Sequence, residues 1–160
     1  MVNRSVPHLH VLPEDQANVE LANGFRLNVP WLKQRQMRVL PPARGWMRVL
    51  ELFRDVHVTE LSRNPNRLMV LLIDFDHDLG RLDYARSFIP PHLADRVFVV
   101  GSLRNPEHLR RELGWKFEDI GGALANDCRD GTSNTWEHPQ LRINGPEIAR
   151  LRAPISQILF

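Results

Sequence analysis

The chain of 160 residues is poor in cysteine and in lysine: Cys128 is the only cysteine, and lysine occurs only at positions 33 and 116. A single cysteine excludes an internal disulfide framework and a zinc site built from cysteine ligands. No run of 18 apolar residues occurs, and the first residues, MVNRSVPHLHVLPEDQ, lack the apolar centre of a signal peptide. We therefore expect a soluble cytoplasmic protein that does not cross a membrane.

The overall composition is that of a globular protein. Hydrophobic residues make up 42% of the chain and charged residues 25%, which argues against intrinsic disorder. A length of 160 residues is enough to bury one proper core. The formal net charge of +2 permits contact with nucleic acid but does not by itself indicate it.

Apolar segments that alternate with amphipathic ones indicate the fold class. Short apolar runs predict strands, and apolar residues spaced three and four apart predict helices. Such alternation predicts an α/β protein with a mostly parallel sheet of about four strands and helices on both faces. The predicted strands cover residues 8–12, 36–40, 68–73 and 97–100. The predicted helices cover residues 14–27, 43–61, 83–93 with a break at Pro90-Pro91, 105–114, 117–128 and 146–160 with an interruption at Pro154, and residues 130–145 are predicted as loop.

The same reading predicts a single domain over residues 1–160. The α/β core is expected at about residues 8–114, and about residues 115–160 are expected to form a C-terminal helical extension. No internal repeat, low-complexity segment or linker divides the chain.

Three acidic residues follow the third predicted strand, in the stretch LMVLLIDFDHDLG. If the chain stays extended, Asp74, Asp76 and Asp78 point to the same side of it. Crowded carboxylates repel one another unless a cation neutralises them, and Mg²⁺ or Mn²⁺ takes oxygen ligands of this kind. The ordinary structural alternative is a solvated acidic turn in which Asp78 caps the helix that follows.

Glu14 directly follows the first predicted strand. In open parallel sheets, functional residues collect at the carboxyl ends of the strands. We therefore expect Glu14 and the acidic residues at positions 74–78 to lie at the same edge of the sheet.

Other families that use an Asp-x-Asp motif fit less well. Phosphatases of the haloacid dehalogenase class place the motif near the start of the chain and follow it with Gly-Thr, where this sequence has His77-Asp78 in mid-chain. A phosphatase that forms an aspartyl-phosphate on Asp74 stays open as an alternative. Glycosyltransferases with this motif generally need a longer chain, and the histidines lack the spacing of HD phosphohydrolases.

The order of elements resembles a TOPRIM domain, the metal-binding fold of topoisomerases, primases and nucleases related to the overcoming-lysogenization-defect group. That family places a Glu after its first strand and an Asp-x-Asp after its third, as Glu14 and Asp74-Phe75-Asp76 stand here. The resemblance covers about residues 8–114. Two positions depart from the family pattern, because Asp15 replaces a usual Gly and Asn18 stands where the nuclease branch often has an acid.

The resemblance implies a metal site and a role for each acidic residue. Glu14, Asp74 and Asp76 would be catalytic and would hold Mg²⁺ or Mn²⁺, with Asp78 auxiliary. Glu107, at the start of a later helix, would serve a second metal. The ordinary alternative for Glu107 is a first-turn acid that stabilises the helix dipole.

Several arginines are candidate contacts for a nucleic-acid backbone. Arg44 lies at the start of the second predicted helix, and Arg104, Arg110 and Arg111 cluster at the fourth, over residues 105–114. Arginine binds phosphate in a bidentate manner, so these residues are expected substrate contacts. An ordinary solvated surface is the alternative for each of them.

The resemblance therefore implies Mg²⁺-dependent phosphodiester hydrolysis, that is, a nuclease acting on DNA or RNA. It also implies that the protein could act beside a separate ATPase partner, and it leaves a homodimer open. The alternative from a different class is a non-catalytic α/β module that binds a metal or nucleotide and acts with a partner protein.

Overall fold

The computed structural model describes residues 5–160 and has a Rossmann-like α/β fold. All four strands of its sheet run parallel, in the order β2-β1-β3-β4. The strands are β1 (His8–Pro13), β2 (Met37–Val39), β3 (Arg67–Leu72) and β4 (Val97–Val100). The α-helices are α1 (Gln16–Leu27), α2 (Trp46–Leu52), α3 (Val58–Arg63), α4 (Gly80–Ser87), α5 (Pro106–Leu113), α6 (Phe117–Asp130) and α7 (Gly145–Leu159). Short 3₁₀ segments lie at Trp31–Gln36, Pro91–Leu93 and Arg142–Asn144, and a π-helical turn lies at Phe53–His57.

Both faces of the sheet are buried, which explains why its strands are apolar throughout. In β3, Leu68 and Val70 face one core, and Met69 and Leu71 face the other. The first core is closed by α1, α5, α6 and α7, and the second by α2, α3 and α4. Side chains alternate along a strand, so a strand between two helical layers needs apolar residues at every position. The predicted fold class and the four predicted strands are confirmed.

After the two central strands, β1 and β3, the chain turns to opposite faces of the sheet. After β1 it passes to α1, which packs in the first core, and after β3 it passes to α4, which packs in the second core. A crevice therefore opens between the carboxyl ends of β1 and β3. This is the position at which open parallel sheets bind their ligands.

Three helix predictions need correction. The predicted helix over residues 83–93 begins already at Gly80 and ends at Ser87, and a separate 3₁₀ segment follows at Pro91–Leu93. The predicted helix over residues 43–61 begins only at Trp46, because Arg44 and Gly45 have φ angles of 67° and 137°. The helix α7 is not interrupted at Pro154 but continues through it to Leu159. Proline removes one N–H donor from a helix, yet the buried face of α7, which includes Leu151 and Ile155, packs on the first core and holds the helix together.

The C-terminal segment covers the free edge of β4. The Asn144 side chain accepts a hydrogen bond from the Gly101 N–H (3.0 Å) and donates one to the Gly101 carbonyl (2.8 Å). The Glu147 carboxylate accepts from the Val99 N–H at 2.9 Å. An uncovered edge strand would expose unpaired backbone groups, so these two side chains take the place of a fifth strand.

Helix α6 packs closely on α1 through glycines in both helices. A Cβ atom on Gly121 would collide with the backbone carbonyl of Leu21, and one on Gly24 would collide with the backbone of Glu118. Gly121 therefore lets the two helices approach closely, and α6 continues through Gly121 and Gly122 to Asp130. Within residues 5–160, no helix combines the length and the apolar character that crossing a membrane requires.

Candidate functional site

Glu14 and Asp74 meet across the crevice between β1 and β3. The Glu14 backbone N–H donates to the Leu72 carbonyl at 2.9 Å, which continues the pairing of the two strands. The Glu14 carboxylate oxygen Oε2 accepts from the Asp74 backbone N–H at 2.8 Å. The parallel register of β1 and β3 thus places the first residue after one strand beside the acidic residue after the other.

Asp74 is an acid in an apolar setting. Its residue surface is 8% exposed, and its Oδ1 accepts a hydrogen bond from Asn18 Nδ2 at 3.2 Å. Burial, followed by the negative charge of Glu14, raises the pKa of Asp74 to about 8. Burial also raises the pKa of Glu14, and the hydrogen bond from the Asp74 N–H opposes that rise.

Asp15 and Asn18 have clear structural roles at the start of α1. The Asp15 side chain accepts a hydrogen bond from the Asn18 N–H at 3.0 Å, as a helix N-cap does. This cap fixes the first turn of α1 and so presents the Asn18 amide to Asp74. Asn18 is buried, and its amide nitrogen favours the charged form of Asp74 and lowers its pKa against the larger effects of burial and Glu14.

The prediction that Asp74, Asp76 and Asp78 share one side of the chain is wrong. The strand ends at Leu72, and Asp76 and His77 have φ angles of 50° and 58°, so the backbone leaves the extended conformation. This turn is held by the N–H groups of Asp76 and His77, which donate to carbonyls of the segment after β4 at 3.1 and 2.7 Å. Alternation of side chains holds only while the chain stays extended.

The two outer acids consequently differ from Asp74. The Asp76 side chain is 67% exposed and lies 3.6 Å from the Arg81 guanidinium. The Asp78 carboxylate accepts from the Gly80 N–H at 2.9 Å, at the start of α4. The N-cap position of α4 is Leu79 and receives no side-chain cap, so Asp78 contacts the first residue of the helix without being its N-cap. Among the described residues, no hydrogen bond brings the side chain of either acid into the Glu14–Asp74 pair.

Arg81 is a part of this site that the sequence analysis missed. Its Nη1 donates to the Asp74 carbonyl at 3.0 Å, and its guanidinium carbon lies 4.7 Å from the centre of the Trp46 ring. Tyr84 packs edge-on against Trp46, with ring centres 5.9 Å apart. The only sequence signal for Arg81 is its place in the first turn of the helix that follows the acidic segment.

Glu107 and Arg44 lie near the pair but are exposed. The negative charge of Glu107 contributes to the raised pKa of Asp74. Glu107 also occupies the first turn of α5, where an acid stabilises the helix dipole. The Arg44 backbone N–H donates to the Glu14 carbonyl at 2.7 Å, which places Arg44 at the same edge of the sheet.

The three remaining arginine candidates are spread along α5 and the turn before it. Arg104 and Arg111 contact the His108 ring at 3.3 and 3.4 Å, and Arg110 lies over the Phe117 ring at 5.2 Å. The backbone carbonyl of Arg104 accepts from the Asp76 N–H, so Arg104 is the one that borders the acidic segment. This hydrogen bond locates Arg104 beside the acidic segment. Among the described residues, no hydrogen bond joins Arg110 or Arg111 to that segment.

The donor atoms at the crevice suit a hard cation. Within residues 5–160, no group of three His, Cys, Asp or Glu side chains stands ready to hold a metal ion. Mg²⁺, however, is commonly held by one or two carboxylates and completes its six ligands with waters and substrate phosphates. The Glu14 and Asp74 carboxylates, whose pKa values are both raised chiefly by burial, are such a pair, so their chemistry fits Mg²⁺ or Mn²⁺.

Comparison of the chain with family models, curated proteins and solved structures found no match.

Proposed function

We propose that the chain is a divalent-cation-dependent phosphodiesterase that acts on nucleic acid, with Glu14 and Asp74 as the residues that hold Mg²⁺ or Mn²⁺. One observation carries the proposal. At the crevice between the central strands the Glu14 carboxylate accepts a hydrogen bond from the backbone N–H of Asp74, and burial together with the charge of Glu14 raises the pKa of Asp74 to about 8. The TOPRIM-like order of Glu14 and the Asp-x-Asp motif is part of the same proposal.

The unfavourable charge of the pair supports the binding of a cation. Two carboxylates in one buried site cannot both ionise without a cost, and a cation removes that cost. When bound, Mg²⁺ lowers the pKa of a coordinated water and neutralises charge on the phosphate. Asn18 orients Asp74 by its hydrogen bond, and the Asp74 backbone N–H orients Glu14.

Arg81 is the residue best placed to position a phosphate beside the pair. It is anchored by the Asp74 carbonyl and by the Trp46 ring, so its side chain is already ordered. A planar guanidinium presents a fork of donors that matches phosphate oxygens. Arg44 and Arg104, which border the same edge, would extend the contact along a nucleic-acid backbone.

The proposal is tested by incubating the purified chain with plasmid, linear DNA, single-stranded DNA and RNA, in Mg²⁺ or Mn²⁺ and in EDTA. We expect cleavage of at least one substrate with metal, none with EDTA, and none with D74N or E14Q. The matched control is D95N, which makes the same chemical change just before β4, at the opposite edge of the sheet. Cleavage by D74N equal to that of the parent would exclude the pair as the catalytic centre.

A second candidate function is a metal-binding module without catalysis. It is favoured by Asn18, a neutral side chain that contacts Asp74 where the nuclease branch of the resembling family often has an acid. In the same experiment this module would bind Mn²⁺ through Glu14 and Asp74 but cleave none of the four substrates. Hydrolysis of small phosphomonoesters in place of nucleic acid would indicate the phosphatase alternative.

A further inference from the structure

We propose that an internal cavity beneath the first helical layer binds a small, mainly apolar molecule that carries one hydrogen-bonding group. The cavity has a volume of about 90 Å³ and lies between the sheet and helices α1, α6 and α7. This inference does not depend on the proposed phosphodiesterase activity.

The cavity wall is almost wholly apolar. Val70 and Val100 line it from the sheet, and Leu21, Leu124 and Leu151 line it from the three helices. A dry cavity of about 150 Å³ with such walls is large enough for benzene or xenon. By proportion, a volume of about 90 Å³ suits roughly three or four non-hydrogen atoms.

Ser102 places one hydroxyl group in the almost wholly apolar wall of the cavity. It continues the row of Phe98 and Val100, which face the first core, and so its side chain belongs to the apolar face of the sheet. Ser102 is 3% exposed, and its hydroxyl has no hydrogen-bond partner within the described part of the chain. Buried hydroxyls are nearly always paired, so the hydroxyl at this position indicates that a ligand supplies the partner.

Water is a poor occupant of this cavity. A buried water needs two to four polar partners, and Ser102 offers one. Among the described residues that line the cavity, Asn18 and Trp136 carry the other strong donors. The Asn18 amide donates to Asp74 and the Trp136 indole donates to the Leu124 carbonyl, and among the fully buried side-chain nitrogen and oxygen atoms of the described residues only the Ser102 hydroxyl lacks a partner. A short aliphatic alcohol satisfies Ser102 through its hydroxyl and fills the remaining space with carbon.

The experiment compares two probes, xenon and 1-propanol, by the NMR shifts of the methyl groups of Val70, Val100 and Leu124. Xenon tests the apolar space alone, and 1-propanol tests the space together with the hydroxyl. Both probes are titrated into the parent, into S102A and into S87A. Ser87 is a matched control because it is exposed at the end of α4, outside the cavity lining.

We expect saturable shifts with both probes in the parent and in S87A. In S102A, 1-propanol should bind about 2–10-fold more weakly, as expected for the loss of one net hydrogen bond, and xenon binding should be unchanged. The proposal is overturned if neither probe binds, if only xenon binds, or if S102A binds 1-propanol as tightly as the parent. The variant A22L, which adds a larger side chain to the cavity wall, should abolish binding of both probes; if A22L does not fold, the comparison with S102A still decides.

Discussion

The carboxylate of Glu14 accepts a hydrogen bond from the backbone N–H of Asp74 at 2.8 Å, and this contact joins the ends of the two central strands. It holds one acid beside another whose own side chain is buried. The contact orients Glu14, and the charge of Glu14 contributes to the raised pKa of Asp74. The first two predictions follow from this arrangement.

Without metal, the stability of the chain should fall as the pH rises from 6.5 to 8. The pKa of Asp74 is raised from 3.8 to about 8, so the folded state binds this proton more tightly than the unfolded state. Stability is then greatest below the unfolded pKa and decreases until the pH passes the folded pKa. In D74N this decrease should be absent, as measured by chemical denaturation in EDTA.

The range above pH 6.5 is chosen because of His10. Burial lowers the pKa of His10 from 6.5 to about 3, so its effect on stability has the opposite sign and lies at lower pH. Added Mn²⁺ should stabilise the parent more at pH 8 than at pH 6, because the cation must displace the Asp74 proton. A parent and a D74N variant with the same pH dependence would contradict the raised pKa.

The effect of substituting Asp76 on the free energy of unfolding should depend on the backbone conformation at this position more than on the charge of the side chain. Asn is tolerated at positive φ, and Asp76 is exposed, so D76N should change the free energy of unfolding by less than about 0.5 kcal/mol. D76V places a β-branched residue at a φ of 50° and should cost about 1–2 kcal/mol. Equal losses of stability in the two variants, measured by urea denaturation, would show that the carboxylate itself is needed for folding.

The close contact between α1 and α6 predicts a large effect of a single methyl group. G121A should destabilise the chain by about 1–3 kcal/mol, because the new Cβ would collide with the Leu21 carbonyl. G145A is the matched control, since nothing lies within 4 Å of a Cβ at that position, and it should leave stability unchanged or slightly raised. If urea denaturation shows the two variants to be equally stable, the helices are not in close contact at Gly121.

Stability should also be sensitive to substitution of Asn144, one of the two residues whose side chains cover the free edge of β4. N144A leaves both the N–H and the carbonyl of Gly101 without a partner and should cost about 2–4 kcal/mol. N23A changes the same residue type on the exposed side of α1 and should cost less than about 0.5 kcal/mol. Thermal unfolding of the two variants checks this difference, and a mild effect of N144A would mean that another group covers the edge.

The strands and the helix ends could be predicted from the sequence because the apolar pattern of a buried strand and the capping residues of a helix are both local. A strand between two helical layers is apolar at every position, as Leu68 to Leu71 are, and this pattern needs no knowledge of the partner strands. The cap of α5 is equally local: Asn105 accepts from the His108 N–H at 2.8 Å, and Gly114 has a φ of 69°. Cys128 is buried, and burial raises the pKa of its thiol to about 11.

The details of the site depend on contacts between distant segments, which the sequence does not reveal. The turn at Asp76 is set by carbonyl groups after β4, and so its direction could not be predicted from positions 74–78 alone. Arg81 gains its place from Trp46, which belongs to another helix. Asp127 accepts hydrogen bonds from the Thr132 hydroxyl and the Thr135 N–H and so organises the loop that follows α6, a role that no local pattern indicates.

Titration with Mn²⁺, followed by the electron paramagnetic resonance signal of the free ion, tests most directly whether Glu14 and Asp74 form a cation site. The titration is made at pH 8 with the parent, E14Q, D74N and the control D95N. We expect the parent and D95N to bind Mn²⁺ with the same affinity, and E14Q and D74N to bind it at least about tenfold more weakly, because each loses a charged ligand. Equal affinity in all four proteins, or no binding by the parent, would contradict the cation site between β1 and β3.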